Sequence, residues 1–422
     1  MAHHFRYDNG VLYAEKIAIT QLAKEFGTPF YCYSAATLRR HINVMRNAFN
    51  GINTLVAYAL KANSNQAVLT LLAKEGAGAD VVSLGELERA IAAGIPPQKI
   101  VFSGVAKTRN EMARALELGI HCFNLESEPE LLRLDEIAGQ MGRIAPVSLR
   151  INPNVDAKTH AKISTGKAED KFGIPYKRAL EVYAEIAKTE NLKAIGVDMH
   201  IGSQITDLKP FDDAFSLLAD LVVSLRAAGH AITHVDVGGG LAVPYQKDNN
   251  PPPDPLAYAQ IIRNRIAPLE CDLVLEPGRM IAGNAGILVT RVEYIKQSAE
   301  RTFVIVDAGM NDMIRPTLYE AHHDILPVVE PAPSARSIKA DIVGPVCETG
   351  DYLARGRTIV TVKQDDLLVL MGSGAYGAAM SSTYNSRPLI AEIMVDGDKY
   401  HVVRPRQKIK DLIAQDSVPD WL

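Results

Sequence analysis

The sequence predicts an α/β fold joined to a β fold: an N-terminal (β/α)8 barrel of the TIM type, followed by a C-terminal antiparallel β domain. Two patterns carry this prediction. Between about residue 50 and residue 280, short apolar runs alternate with longer amphipathic segments, which is typical of repeated βα units. After Gly286, short strands separated by turn residues replace that alternation. We predict a barrel over residues 28–282 and a β-rich domain made of residues 1–27 and 283–422.

The individual elements follow from the same periodicities. Eight strands are predicted in the barrel segment, at Thr54–Ala59, Ala79–Ser83, Ile100–Ser103, His121–Asn124, Val147–Asn152, Ile195–His200, His234–Gly238 and Leu273–Glu276. Eight strands close a TIM barrel, whereas a doubly wound open sheet more often has about five or six. Helical spacing marks Gly85–Ala93, Arg109–Leu118 and Phe211–Ala228, and the Pro-rich stretch Asn249–Pro255 is predicted as a surface loop. In the β domain, strands are predicted at Ile287–Ile295, Thr302–Val306, Ser337–Val343, Thr358–Val362, Leu367–Leu370, Ala391–Val395 and Tyr400–Val403.

Composition restricts the possible functions. The 422 residues include 47% hydrophobic and 22% charged residues, which is ordinary for a soluble protein large enough for two domains. Basic and acidic residues nearly balance, at 45 and 49, and no long basic run is present, so we expect no nucleic-acid partner. The first ten residues lack the pattern of a secretory signal, and no apolar stretch reaches membrane-spanning length. We therefore expect a cytoplasmic protein that does not associate with membranes.

Four cysteines, Cys32, Cys122, Cys271 and Cys347, lie far apart in the sequence. They have neither the paired spacing of a zinc site nor the density of a disulfide scaffold. We therefore expect no metal, and any functional cysteine is expected to act as a thiol. The strongest candidate is Cys347, because Glu348 follows it in a turn-rich stretch, although most isolated cysteines are inert.

Chemically capable residues stand at the ends of the predicted barrel strands. They are Lys61, Ser83, Asn124, Arg150, His200, the run Gly238–Gly240 and Glu276. Because the carboxyl ends of TIM-barrel strands form the active-site face, these residues are predicted to surround one site.

Lys61 is the candidate for imine chemistry, because it ends the apolar run Leu55–Leu60 and a desolvated lysine is suited to that role. A lysine that simply reaches solvent would fit the same position. His200 is followed by Gly202 and Ser203, a turn able to bind an anion, but an isolated histidine is more often structural.

Two further motifs point to a bound phosphate and an electron sink. Gly238, Gly239 and Gly240 permit close backbone approach to a phosphate, but Val243 stands where a dinucleotide fingerprint needs a small residue, which argues against NAD. Glu276 begins the motif Glu-Pro-Gly-Arg, and its carboxylate could keep a pyridine nitrogen protonated. A Glu–Arg pair on a surface turn is the alternative.

Taken in order along almost the whole chain, these and further motifs resemble the diaminopimelate decarboxylase family of alanine-racemase-like enzymes. The motifs are Tyr58–Asn63, His200–Gln204, Val237–Gly240, Glu276–Arg279, Asp307–Asn311, Arg315-Pro316 to Tyr319 and Gly344–Asp351, together with the loop Asn154–Gly173, which includes Thr159 and His160. Thr349 differs from the serine that is frequent in the family. The resemblance implies the barrel and β domain predicted above.

The resemblance also implies roles for individual residues. Lys61 would carry pyridoxal 5'-phosphate as an imine, and His200 would stack on its face. Ser203, Gly238, Gly239, Gly240, Glu276, Pro277, Gly278, Arg279 and Tyr376 would bind the cofactor, with the Glu276 carboxylate facing the pyridine nitrogen. Arg279, Arg315, Tyr319, Glu348 and Tyr376 would bind the substrate, and Cys347 would be the proton donor. The family assembles as a homodimer in which Cys347 and Glu348 would come from the neighbouring subunit.

The activity implied is the decarboxylation of meso-2,6-diaminopimelate to L-lysine and CO2, the last step of lysine biosynthesis. Three alternatives stay open. An ornithine or lysine decarboxylase would leave a substrate-binding arginine without a carboxylate partner. An amino-acid racemase of the same fold would need an acid or base on each cofactor face. A non-catalytic cofactor-binding protein would be expected to have lost Lys61 or Cys347, and both are present.

Overall fold

The computed structural model describes residues 3–157, 160–163, 165–167, 169–246 and 252–422. Thr159, which belongs to one family-like motif, and residues 249–251 of the predicted Pro-rich loop lie outside the described residues. The chain divides into two compact units. We call residues 39–243 and 250–281 the barrel unit, and residues 1–38, 244–249 and 282–422 the β unit.

The strands are β1 Phe5–Asp8, β2 Val11–Ala14, β3 Ile17–Ala18, β4 Phe30–Ser34, β5 Thr54–Ala59, β6 Gly78–Val81, β7 Ile100–Phe102, β8 Cys122–Leu125, β9 Ala145–Asn152, β10 Ile174–Pro175, β11 Leu192–Asp198, β12 His234–Asp236, β13 Asp272–Leu275, β14 Gly286–Gln297, β15 Thr302–Val306, β16 Ile325–Pro327, β17 Ser337–Val343, β18 Tyr352–Val360, β19 Leu367–Leu370, β20 Ala391–Asp396 and β21 Lys399–Arg404. The α-helices are α1 Ile19–Phe26, α2 Ala35–Ala48, α3 Gln66–Lys74, α4 Leu84–Ala92, α5 Arg109–Leu118, α6 Glu128–Gln140, α7 Ala179–Ile186, α8 Lys209–Ala227, α9 Pro255–Arg265, α10 Arg279–Ala282, α11 Arg315–Tyr319 and α12 Ile409–Ile413. Among the residues described here, none of these helices is both long and apolar enough to cross a membrane.

The barrel unit contains a closed parallel barrel. Its strands follow the order β5-β6-β7-β8-β9-β11-β12-β13, and β13 pairs with β5 to complete the ring. The short strand β10 adds to β9 outside the ring. The predicted TIM-like barrel is confirmed, and the first strand begins and ends at the predicted residues Thr54 and Ala59.

Local sequence signals determine where the barrel helices lie. Thr108 caps the start of α5 in a capping box with Glu111, and Gly119 ends the helix with a left-handed φ of 69°. On α8, buried Phe211, Phe215, Leu218 and Val222 recur at three- and four-residue intervals, which gives the helix one apolar face. Because the barrel strands pair in parallel around the ring, their carboxyl ends, and the residues that follow them, lie at one rim.

The β unit contains a mixed sheet that is mostly antiparallel. The strand order is β18-β17-β15-β14-β4-β20-β21, with β19 pairing to β14 and to β16, and β1, β2 and β3 form a separate small sheet. Two pairs, β15 with β17 and β4 with β20, are parallel, so the prediction of a purely antiparallel domain needs that correction.

Strand β4 (Phe30–Ser34) also lies in this sheet, although the predicted barrel segment starts at residue 28. The strand is buried along its whole length, so its sequence lacks the alternation that distinguishes an antiparallel strand with one wet face.

Candidate active site

The rim of the barrel unit gathers the candidate residues of that unit. Lys61 follows β5, His200 follows β11, Gly238–Gly240 follow β12, and Glu276 follows β13. Ser83 has a different role, since its hydroxyl accepts a hydrogen bond from the Glu86 N–H and caps α4.

Lys61 makes an ion pair inside the barrel. Its Nζ lies 2.8 Å from Oδ2 of Asp80, a carboxylate with no exposed surface on β6, while 38% of the Lys61 side chain is exposed. Oδ1 of Asp80 is buried and has no hydrogen-bond partner in the described structure. The amine is therefore oriented by a buried charge and still reachable from solvent.

Glu276 belongs to a cluster of buried carboxylates. Carboxylate oxygens of Asp198, Asp236 and Glu276 all lie within 4.8 Å of one another. Burial, followed by the negative charges of Asp236 and Asp80, raises the pKa of Glu276 well above its usual range. Burial likewise raises the pKa of Asp236 to about 6. The crowding of negative charge in this cluster therefore favours a cation placed beside it.

Hydrogen bonds from uncharged side chains hold this cluster in place. Ser103 Oγ donates to Glu276 Oε1 at 3.2 Å, and Asn124 Nδ2 lies 3.3 Å from Asp236 Oδ2. Ser148 Oγ in turn donates to Asn124 Oδ1 at 2.5 Å. Asn124 was singled out by its strand-end position, and the structure gives it this supporting role.

His200 is a neutral imidazole with a defined tautomer. Burial, then the positive charges of Arg150 and Lys61, lowers its pKa well below the ordinary value. The Gly239 N–H donates to His200 Nδ1 at 3.0 Å, so the ring proton is on Nε2. Arg150 itself is buried and paired with Glu126 Oε1 at 3.1 Å.

Glycine is required at positions 238–240 because neighbouring loops approach this backbone closely. A Cβ on Gly239 would lie 2.3 Å from the carbonyl oxygen of Glu276, and one on Gly238 would lie 2.6 Å from His200 Nδ1. Gly238 and Gly240 also have left-handed φ values of 65° and 107°. The glycines thus let the loops after β11, β12 and β13 meet at one place.

Ser203 and Arg279 are joined beside these glycines. Arg279 donates to Ser203 Oγ from Nη2 at 2.9 Å and from Nε at 3.3 Å. Arg279 is buried, so a guanidinium and a hydroxyl are presented together in a sheltered position. That donor set suits a phosphate.

The remaining candidates lie in the β unit. Arg315 is buried, whereas Tyr319 and Tyr376 are half-buried. Tyr376 has a left-handed φ of 56°, a conformation that costs a non-glycine residue about 1–2 kcal/mol.

Cys347 and Glu348 lie on an exposed loop of the β unit. The Cys347 N–H donates to Oδ1 of Asn385 at 2.7 Å. The carboxylate of Asp351 accepts hydrogen bonds from the Met310 N–H at 2.6 Å and the Val346 N–H at 2.7 Å. Hydrogen bonds therefore hold the backbone of the loop. Cys347 is exposed, and the Glu348 carboxylate accepts a hydrogen bond from the Tyr384 hydroxyl at 3.4 Å.

Comparison with known proteins identifies the family to which the chain belongs. Residues 35–283 match the pyridoxal binding domain of the pyridoxal-dependent decarboxylases. The diaminopimelate decarboxylase of Zymomonas mobilis is 50% identical over 99% of both chains, and that of Vibrio cholerae is 51% identical over 98% of this chain and 99% of the other. The chain belongs to the diaminopimelate decarboxylases.

Solved structures agree with this assignment. Diaminopimelate decarboxylase from M. jannaschii in complex with L-lysine has a TM-score of 0.94 at 38% identity, covering 99% of this chain and 98% of that one. The Helicobacter pylori enzyme in complex with L-lysine has a TM-score of 0.90 at 42% identity, with coverages of 94% and 98%. A lysine/ornithine decarboxylase from Vibrio vulnificus, at 20% identity and a TM-score of 0.77, shares the fold alone.

For this diaminopimelate decarboxylase, sequence reasoning missed three carboxylates of the site. Asp80, Asp198 and Asp236 lie within strands β6, β11 and β12 and point into the barrel cluster. A signal was available, because strands of a parallel barrel are nearly continuous apolar runs, and an aspartate inside such a strand is anomalous.

Proposed function

We propose that this chain decarboxylates meso-2,6-diaminopimelate to L-lysine and CO2 with pyridoxal phosphate, the last step of lysine biosynthesis. The observation that carries the proposal is the rim of the barrel unit, where an accessible lysine, a neutral histidine and a buried acid cluster lie beside a phosphate-binding donor set. Near-complete alignment at 50% identity with a diaminopimelate decarboxylase supports the choice of substrate.

The residues of this rim fit the cofactor. Lys61 offers an amine for covalent attachment, and Asp80 orients it. The Glu276 carboxyl, crowded by other acids, favours a proton on a pyridine nitrogen. Ser203, Arg279, Gly238–Gly240 and the backbone of Glu276, Pro277 and Gly278 would hold the phosphate, and neutral His200 would cover one face of the ring. Bound pyridoxal phosphate supplies an electron sink for the electron pair left behind when CO2 departs.

The β unit supplies groups for the substrate and for proton transfer. Arg315 binds the carboxylate at the end of the substrate that does not react, and Arg279, Tyr319 and Tyr376 complete the contacts. The Glu348 carboxylate accepts hydrogen bonds from the distal ammonium of the substrate. The Cys347 thiol donates a proton to the carbon that has lost its carboxylate. The strained φ of Tyr376 is typical of a functional position.

The enzyme acts as a homodimer in which each site receives Cys347 and Glu348 from the partner subunit. The exposure of both residues supports this arrangement, because a proton donor works best where water is excluded. Four free cysteines are typical of a reducing compartment, which supports a cytoplasmic location.

A direct assay tests the activity. Purified protein with pyridoxal phosphate is incubated with meso-diaminopimelate, L-lysine or L-ornithine, and both CO2 and amine products are measured. We expect CO2 and L-lysine from meso-diaminopimelate and far slower turnover of the other two. Faster release of CO2 from lysine or ornithine would overturn the substrate assignment, and scrambled stereochemistry without CO2 would identify a racemase.

Mixing of two inactive variants tests the shared sites. Lys61→Ala and Cys347→Ala are each expected to be inactive alone. Heterodimers formed from both contain one site with a complete set of residues, so a random equimolar mixture should recover about a quarter of the original activity. No recovery after verified subunit exchange would contradict a site shared between subunits.

A further inference from the structure

We propose that His323 is a positioning residue that holds the Arg315 guanidinium in the orientation needed to bind the distal carboxylate of the substrate. The inference rests on the role given to Arg315 in the proposed function and extends it to a residue outside the motifs above. The two residues lie in the β unit, eight positions apart in the sequence.

The contact between the two side chains is short and buried. Arg315 Nη1 lies 2.7 Å from His323 Nε2. Arg315 is 5% exposed and His323 is not exposed at all. Because a guanidinium can only donate, Nε2 must be the acceptor and must carry no proton.

A second hydrogen bond selects the same tautomer. His323 Nδ1 lies 2.8 Å from the carbonyl oxygen of Met371, which can only accept. The ring proton is therefore on Nδ1, and the lone pair on Nε2 points at Arg315. Two independent partners thus determine one neutral form of the imidazole.

Tyr245 restrains the same guanidinium from its face. The Arg315 Cζ atom lies 4.4 Å from the centre of the Tyr245 ring, which is a cation–π distance. The Tyr245 ring also meets the His323 ring edge-on, with centroids 5.1 Å apart at an interplanar angle of 69°. The hydrogen bond to Nη1 and the ring within cation–π distance of Cζ together restrict the position and the rotation of the guanidinium.

The backbone of His323 is held as well. Arg357 Nη1 donates to the His323 carbonyl oxygen at 2.7 Å and lies 3.1 Å from Nε2 of His322. The same Nε2 atom lies 2.9 Å from Oδ1 of Asp324, and its tautomer decides whether it donates to that carboxylate or accepts from Arg357. His323 is therefore a fixed support for Arg315.

The orientation of the Arg315 guanidinium matters because arginine binds a carboxylate through two parallel N–H groups. That geometry tolerates little rotation. The contact with His323 engages one of the five N–H groups of a guanidinium. His323 should therefore affect ligands that have a carboxylate at the distal end and leave other ligands unaffected.

Two matched variants of the holoenzyme distinguish a role of His323 in positioning Arg315 from a general role in folding. In His323→Gln, the amide oxygen reaches the place of Nε2 and can accept from Arg315. In His323→Asn, the shorter amide reaches only the place of Nδ1 and can satisfy the Met371 carbonyl. Both variants keep a polar side chain in the same cavity, and circular dichroism and thermal unfolding establish that each is folded.

The ligands are also a matched pair. L-lysine retains the distal carboxylate of the substrate, whereas cadaverine (1,5-diaminopentane) is the same chain without it. We expect His323→Asn to weaken L-lysine binding and raise KM for meso-diaminopimelate about tenfold, the usual consequence of losing a hydrogen bond to a charged group, with a smaller change in kcat. His323→Gln should recover most of this loss, and cadaverine affinity should be the same for all three proteins.

The outcome is decisive in either direction. Equal weakening of L-lysine and cadaverine, or equal behaviour of the Asn and Gln variants, would overturn the positioning role. Binding by calorimetry requires no turnover, so this result is independent of the reaction assay. Absence of CO2 release by the unmodified enzyme would instead overturn the proposed function.

Discussion

The cofactor rim of the barrel unit and the Cys347 loop of the β unit place reactive groups in opposite surroundings. At the rim, Asp80, Asp198, Asp236 and Glu276 are almost completely buried, and burial followed by the charges of the three aspartates raises the pKa of Glu276. In the loop, Cys347 and Glu348 are exposed, hydrogen bonds hold the backbone, and the Glu348 carboxylate accepts one hydrogen bond, from the Tyr384 hydroxyl. The rim therefore creates its electrostatic environment within one chain, whereas the cysteine of the loop is exposed to solvent.

This contrast predicts different kinds of sensitivity. Changes at the rim should affect cofactor electronics and the pH dependence of stability, because charges interact strongly where water is absent. Changes in the loop should affect substrate binding and proton transfer and leave cofactor binding and folding nearly unchanged.

The largest effect is expected for Cys347→Ala. Loss of a general acid typically costs about 10²–10⁴-fold in rate, so kcat should fall by that order while the visible absorbance of the bound cofactor stays the same. Steady-state kinetics and an absorbance spectrum check both parts. Unchanged turnover would show that another group donates the proton.

The second effect concerns stability and pH in the cofactor-free protein. The pKa of Asp236 is raised from 3.8 to about 6, mainly by burial. Between these values the folded protein binds a proton that the unfolded chain does not. This contribution to stability is therefore complete below pH 3.8 and is lost as pH rises through about 6, a change of about 3 kcal/mol.

Urea unfolding across this pH range measures the effect, with Asp236→Asn as the matched control. Asparagine keeps the oxygen that accepts from the Gly238 N–H, which lies 2.9 Å from Asp236 Oδ1. The variant should lose this part of the pH dependence. Identical pH profiles for both proteins would contradict the raised pKa.

The third effect is expected for Glu276→Gln. Glutamine keeps the shape of the side chain but cannot carry the charge that favours a proton on the pyridine nitrogen. Loss of a hydrogen bond to a charged group predicts a fall in kcat of roughly ten- to a hundredfold, with the cofactor still bound. Full activity of this variant would mean that the carboxylate does not face the ring nitrogen.

The smallest effect is expected for Asn385→Ala, which removes the acceptor for the Cys347 N–H. The hydrogen bond is neutral and lies at the surface, so the free energy of unfolding should fall by only about 0.5 kcal/mol. Chemical denaturation measures this change. A decrease in the free energy of unfolding as large as that caused by a barrel-rim substitution would contradict the difference proposed between the rim and the loop.

The sequence predicted the barrel well because its signals are local. The sequence alone shows an apolar strand that ends in Lys61. It also shows the run of three glycines, a pattern typical of a place where backbones approach closely. Asp80 and Asp236 interrupt apolar strands, which is a signal in the sequence, but their shared role arises only when the closed barrel brings separate strands together. The stretch that forms strand β4 was included in the predicted barrel segment for a different reason, since a strand buried along its whole length has no alternation that assigns it to one sheet or the other.

The most direct test of the account is the site of cofactor attachment. Borohydride reduction of the yellow holoenzyme, followed by proteolysis and mass spectrometry, identifies the residue that carries the pyridoxyl group. We predict a single labelled peptide modified at Lys61, and no labelling after Lys61→Ala. A pyridoxyl group on any other lysine, such as the buried Lys107, would contradict the assignment of the barrel rim as the active site.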